Sequence, residues 1–212
     1  MLTESQIRAM MPNAGDRLTS HLPFINHALE FGQINSALRV AAFMAQLAHE
    51  SAEYRYMEEI DEGHYLEGRA DLGNTRPGDG SRFKGHGPIQ LTGRDVHAKC
   101  GEALGIDLIA NPTLITTPKY GTLSSAWFWR EFKPALNPAA EKGWFRVTTR
   151  LVNGGYTHLD RRIAYYQRNR ALLGLAPYTE HDEDQSIRQF QGSKGLVVDG
   201  DAGSNTLKAL LA

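Results

Sequence analysis

Between residues 61 and 87 the chain places Gly63, Gly68, Gly73, Gly78, Gly80, Gly85 and Gly87, seven of its 21 glycines. Glycine loses more conformational freedom on folding than any other residue and has no side chain with which to hold a helix face or a sheet ladder, so this stretch predicts loop and short strand. The flanking sequence is of the opposite kind. From Ser36 the run ALRVAAFMAQLAHES consists mostly of good helix formers, with Leu38, Ala41, Ala42, Ala45 and Ala48 as a buried stripe. Thr3 and Gln6 stand in capping-box spacing before Ile7, Met10 and Met11, and Pro12 ends that short helix. Helical patterns also fit residues 21–31, 95–104, 123–131, 145–152 and 160–173, the last closed by Gly174 and Pro177. The expected fold is therefore mainly α with an irregular insert.

Composition narrows the function classes. The chain carries 23 Lys and Arg against 24 Asp and Glu, so no overall field draws it to nucleic acid or to an acidic membrane surface. Its single cysteine, Cys100, excludes an internal disulfide and any zinc site built on several cysteines. His49-Glu50 lacks the second histidine of H-E-x-x-H, since position 53 is Glu, and no other histidine spacing matches a metal pattern. Neither a G-x-S-x-G elbow nor a phosphate loop ending GK[ST] is present. The expectation is of no metal and no cofactor. No apolar run reaches membrane-spanning length and the N-terminus has no signal-peptide pattern. Synthesis in a cytoplasm is expected, with any export dependent on outside help.

After Pro177 the run Thr179-Glu180-His181-Asp182-Glu183-Asp184 reads as an acidic linker. Residues 176–212 hold six acids and three bases, whereas the preceding body holds 18 acids and 20 bases. That shift places a boundary near residue 178, giving a body over 1–177 and a short helical tail over 178–212.

Two groups of residues carry candidate chemistry. Glu50 ends the best helix, where unsatisfied carbonyls oppose a further negative charge, as suits a group that must donate a proton. Eight acids crowd residues 50–71 against only Arg55 and Arg69, and such crowding is expected to raise some carboxyl pKa values. On one continuous helix Glu50 and Glu59 would be about 900° apart and point to opposite sides, so the helix must break before the two can cooperate. Two carboxyls roughly 6.5–9.5 Å apart are the acid and base of an inverting glycosidase; a solvated acidic surface is the other reading of the same residues. The second group is GHGPIQLTGRD. Read as a short strand, it turns Gln90 and Thr92 to one side and Ile89 and Leu91 to the other, offering an amide and a hydroxyl to sugar or water. Trp127, Phe128, Trp129, Tyr165 and Tyr166 lie at helical positions and read as core.

The ordered set His49-Glu50-Ser51, the run from Gly68 to Gly93, ALGIDL with Asn111-Pro112, Ala126-Trp127-Phe128-Trp129 and Val152-Asn153-Gly154-Gly155 before Asp160-Arg161-Arg162 resembles glycoside hydrolase family 19. That family holds plant and bacterial chitinases and many phage endolysins. The resemblance spans about residues 35–175 and implies a lysozyme-like α+β fold with a cleft and an inverting mechanism. By position it makes Glu50 the general acid and Glu59, ahead of Glu58, the second glutamate. It makes Thr92 the hydroxyl that positions the attacking water, Gln90 and Asn153 substrate contacts, and Arg162 an arginine that organises the acid. Two departures stand out: Val96-His97 occupies a place where the family often has Asn-Tyr, and the glutamate found after NGG in plant enzymes is replaced near Thr157. SIRQFQGSKGLVVDGDAGSNTLKALLA resembles the latter half of the small helical peptidoglycan-binding domain; a helical hairpin packed on the body is the other reading of this tail.

The function expected is that of a monomeric phage endolysin of muramidase type, its partner the glycan strands of peptidoglycan. Its rivals are a chitinase of the same mechanism, a non-catalytic wall-binding protein and a metal-dependent wall amidase.

Overall fold

The computed structural model describes residues 1–212, and the chain forms two compact units. The first comprises residues 1–32 and 47–128, the second residues 33–46 and 129–212. Eleven α-helices follow in order: α1 Glu4–Met10, α2 Leu22–Phe31, α3 Ala37–Glu50, α4 Asp79–Arg82, α5 Arg94–Leu104, α6 Pro118–Trp127, α7 Leu136–Glu141, α8 Phe145–Asn153, α9 Leu159–Leu172, α10 Glu180–Ser193 and α11 Ser204–Leu211. The predicted mainly α fold is what the chain adopts.

In the first unit the expected capping box is complete: the Thr3 hydroxyl accepts from Gln6 N while the Gln6 side chain accepts from Thr3 N. Helix α2 packs on α6, with Ala28, Leu123 and Ala126 as the contact and Phe31 and Leu104 at its margin. Small residues at the centre of that contact bring the helices close. The glycine-dense stretch differs from the prediction in detail. It contains single 3₁₀ turns at His64–Leu66 and Ala70–Leu72 and the one-turn α4, and in place of a strand only the isolated bridges Glu58–His86 and His86–Leu91. Left-handed glycines at 63, 68, 73, 78 and 87 turn the chain too often for a ladder to extend.

In the second unit a core forms from Ala139, Trp144, Val147, Ile187 and Ala202, with Leu151, Phe190, Leu207 and Leu210 packed against it. Phe145 stacks on Tyr166 at 4.1 Å, and the edge of Trp129 meets Phe43 at 5.4 Å. The aromatic residues read as core are core: Trp127 and Phe128 are buried in the first unit, Trp129 and Tyr166 in the second, where Tyr165 is half-buried. Helix α3 is buried all round from Val40 to Ala48, not along one stripe. Gln46, the polar residue within that run, is satisfied by Thr149 and Arg162.

The acidic run at 179–184 is not a linker. Thr179 caps α10 by accepting from Asp182 N, and Glu180, Asp182 and Glu183 fill its first turn, where the helix dipole favours carboxylates. Glu183 is 3% exposed and accepts from the backbone N–H groups of Arg146 and Val147, capping α8 from outside, and from Tyr178 Oη at 2.6 Å. The compositional boundary at 178 thus falls inside a unit whose core the tail helps to build.

Candidate active site

The helix break required between the two glutamates occurs immediately after Glu50. Ser51 turns its hydroxyl back to Leu47 O at 2.7 Å and accepts from Tyr54 N. Ala52, Glu53 and Tyr54 then take φ of 46°, 57° and 63°, a left-handed run no α-helix continues through. Glu50 is half-buried, with Oε1 out of contact with solvent. Its neighbour Glu53 serves the fold instead. It is 1% exposed and accepts from the backbone and side-chain nitrogens of Asn13.

Beyond the break, Glu59 N donates to Gly85 O at 2.8 Å, while Gly85 N donates to Glu59 Oε2 at 2.8 Å. The other carboxylate oxygen, Oε1, accepts from Tyr65 Oη at 2.6 Å. Two donors therefore fix both oxygens of one side chain. The tyrosine hydrogen bond is the main reason the Tyr65 hydroxyl is pushed up to about 12, with burial and the charges of Glu59 and Asp61 adding to it. Glu58 faces elsewhere: it is exposed and pairs with Lys84 Nζ at 3.1 Å. Most other acids of the crowded stretch have partners of their own. Asp61 accepts from Gly63 N, Glu67 from Gly78 N and Gly80 N, and Asp71 pairs with Arg69 at 2.6 Å. Asp71 is held below the usual carboxylate range by Arg69, contrary to the rise expected from crowding.

GHGPIQLTG is a tight hairpin and not a strand. His86 and Leu91 exchange backbone hydrogen bonds across a four-residue turn, with Gly87 at φ 77° and Gln90 at φ 56°. A Cβ on Gly87 would stand 2.9 Å from Ile115 O, so the turn needs glycine there. Positive φ at a glutamine is strain held by its surroundings: Gln90 N and Nε2 both donate to Gly87 O. The predicted sorting of side chains survives the change of backbone, since Ile89 and Leu91 are buried while Gln90 and Thr92 are half-buried. Thr92 Oγ1 donates to Gln90 O at 3.1 Å, which leaves its lone pairs to accept from a water. A Cβ added to Gly85 would lie 2.6 Å from Gln90 Oε1 and 3.3 Å from Glu59 Oε2. Glu59, Gln90 and Gly85 thus converge on one spot, with Thr92 bonded to the same turn.

Glu50, Glu59, Gln90 and Thr92 belong to the first unit, Asn153 and Arg162 to the second. Asn153 is exposed at the end of α8. Arg162 is 1% exposed on α9, with Nη1 donating to Gln46 Oε1 and Nε to Thr157 O. Sequence reasoning missed Tyr65 and the Gly85 N–H as ligands of Glu59. A backbone donor leaves no mark in sequence, and Tyr65 sits in a loop without periodicity.

The sequence profile of the class I chitinase family, Glyco_hydro_19, matches residues 24–183, and that of a peptidoglycan binding domain matches residues 184–210. An endochitinase of Solanum tuberosum is 30% identical over 87% of this chain and 69% of its own length. An endochitinase of Arabidopsis thaliana is 31% identical over 77% of this chain and 64% of its own. The chain thus spans about two thirds of these plant proteins. The crystal structure of chitinase C from Streptomyces griseus superposes with a TM-score of 0.68 at 25% identity, over 84% of this chain and 95% of that one.

Proposed function

Because this chain belongs to glycoside hydrolase family 19, whose fold is lysozyme-like and mainly α, we propose that it is a muramidase-type endolysin cleaving the β-1,4 glycosidic bonds of peptidoglycan by an inverting acid/base mechanism. Glu50 gives its proton to the oxygen of the leaving sugar as the bond from that oxygen to the anomeric carbon breaks. Glu59 takes a proton from a water that attacks the same carbon from the opposite face. The two donors on Glu59 hold it as an oriented acceptor, and Thr92 accepts from that water to aim it. The family resemblance gives Gln90 and Asn153 the role of substrate contacts and Arg162 that of the arginine that organises the acid.

The observation that carries peptidoglycan over chitin is the C-terminal match over residues 184–210. In this reading residues 178–212 are the wall-binding part, and the chain works as a monomer, made in a bacterial cytoplasm by a phage or prophage and acting on the wall after release. No helix is long and apolar enough to cross a membrane.

Purified murein and chitin oligosaccharides, assayed side by side for reducing ends with mass spectrometry of the fragments, test the reading. Faster release from murein by wild type, abolished in Glu50→Gln, is the expected result. Faster release from chitin would make the protein a chitinase. Amino termini in place of reducing ends would make it an amidase, and no release by wild type would make it a binding protein.

A further inference from the structure

Behind the hairpin that holds Glu59 lies a pair of buried histidines that the mechanism above does not use. His86, 2% exposed, is the hairpin residue bridged to both Glu58 and Leu91. His97, fully buried, is the fourth residue of α5. Their rings meet edge to face, with His86 Nδ1 3.0 Å from His97 Nε2. His97 Nδ1 lies 2.8 Å from Gly93 O, and Phe83 tilts against the far side of the ring.

These contacts determine the tautomers. A backbone carbonyl only accepts, so His97 Nδ1 carries a hydrogen. Neutral His97 then offers the lone pair of Nε2, and His86 must donate from Nδ1. A proton added to His86 Nε2 leaves this bond intact. A second proton, added to His97 Nε2 while His86 Nδ1 keeps its hydrogen, sets two donors face to face and breaks it.

We propose that His97 is a positioning residue for Glu59, acting through His86: with its ring neutral it ties the start of α5 to the base of the hairpin, and so holds Gly85 N–H against the Glu59 carboxylate. The chain of bonds is short. His97 fixes His86, the residue next to Gly85, and Gly85 exchanges two hydrogen bonds with Glu59. Gly93 N donates in turn to Phe83 O, closing the other end of the segment. The inference rests on Glu59 being the general base.

The groups acting on the pair are Glu58, Glu59 and Lys84 on His86, and His86 itself on His97. Asp79 and Arg94 neutralise each other beyond Phe83. Burial, the largest influence, pushes His97 down to about 4, and His86 is also lowered chiefly by burial. Near neutral pH the pair is therefore in its bonded form, and acid releases it.

The test compares wild type, His97→Phe, His97→Gln and Glu59→Gln, with melting temperature and circular dichroism to show that each is folded. Phe keeps the bulk of the ring and removes both bonds; Gln keeps an acceptor at the place of Nε2 and cannot take up a proton. At neutral pH, His97→Phe should lower kcat about tenfold with KM within about twofold, and His97→Gln should restore kcat to within about twofold of wild type. In acid, kcat of wild type should fall more steeply than that of His97→Gln, with at least one further proton in its dependence. Superimposable acid limbs in wild type and His97→Gln, while Glu59→Gln is inactive, would overturn the positioning role and leave the function intact. Loss of kcat in His97→Phe that tracks a loss of folded protein would also overturn it. Full activity in Glu59→Gln would overturn both the inference and the assignment of the base beneath it.

Discussion

Tyr65 donates its hydroxyl hydrogen to Glu59 Oε1 across 2.6 Å, although 60% of the tyrosine remains exposed to solvent. This single bond makes Tyr65 a reporter on the state of Glu59. Because the folded hydroxyl is pushed up to about 12, the folded protein keeps a proton that the unfolded chain loses near pH 10. Stability from this contact is complete below pH ~10 and lost as pH rises through the folded value. Ultraviolet titration should show one tyrosine of wild type moving toward the ordinary value in Glu59→Gln. An unchanged titration would mean that the bond is not formed in solution.

The adjacent glutamates separate by their partners. Glu59→Gln should reduce kcat by about 10²–10⁴-fold, the range for a lost general base, whereas Glu58→Gln, which removes only an exposed pair with Lys84, should stay within about threefold. Equal losses, measured on soluble glycan fragments, would reverse the choice between them.

Space around Gly85 gives a sharper prediction, because a methyl group there meets Gln90 Oε1 and Glu59 Oε2. Gly85→Ala should cost about 10–10²-fold in kcat through misplacement of about 1 Å. Thr92→Ala should be milder than Glu50→Gln or Glu59→Gln, since it removes an aim and not a proton carrier. Wild-type turnover in Thr92→Ala would end the water-positioning role.

In the tail, packing and wall binding fall on different residues. Ile187→Ala, in the core shared with Trp144 and Ala139, should cost about 2–4 kcal/mol in denaturant melts. Val197 is 78% exposed, so Val197→Asp should leave stability unchanged and weaken adsorption to insoluble murein. Unchanged adsorption would remove Val197 from the binding surface. Burial raises the Glu183 carboxyl above the usual carboxylate range. Stability should therefore decline as pH rises through that higher value, and Glu183→Gln should flatten the decline.

The sequence by itself determined the elements whose causes are local. The Thr3–Gln6 capping box, the helix ending at Glu50, the glycine-dense insert and the outward sorting of Gln90 and Thr92 all follow from residue type and spacing within a few positions. Family order in the chain also named the residues that carry the chemistry proposed above. The rest depended on groups distant in sequence. Glu59 stands apart from Glu58 because Gly85 and Tyr65 come to it, and backbone donors carry no side-chain signature. The acids after Thr179 read as a linker because charge runs usually stay in water; Glu183 is buried because two N–H groups at the start of α8 needed an acceptor. His86 and His97, eleven positions apart, carry no local signal of a pair. Only the return of the hairpin onto α5 sets one ring against the other, because a hydrogen bond requires atoms about 3 Å apart and the local pattern does not encode that distance.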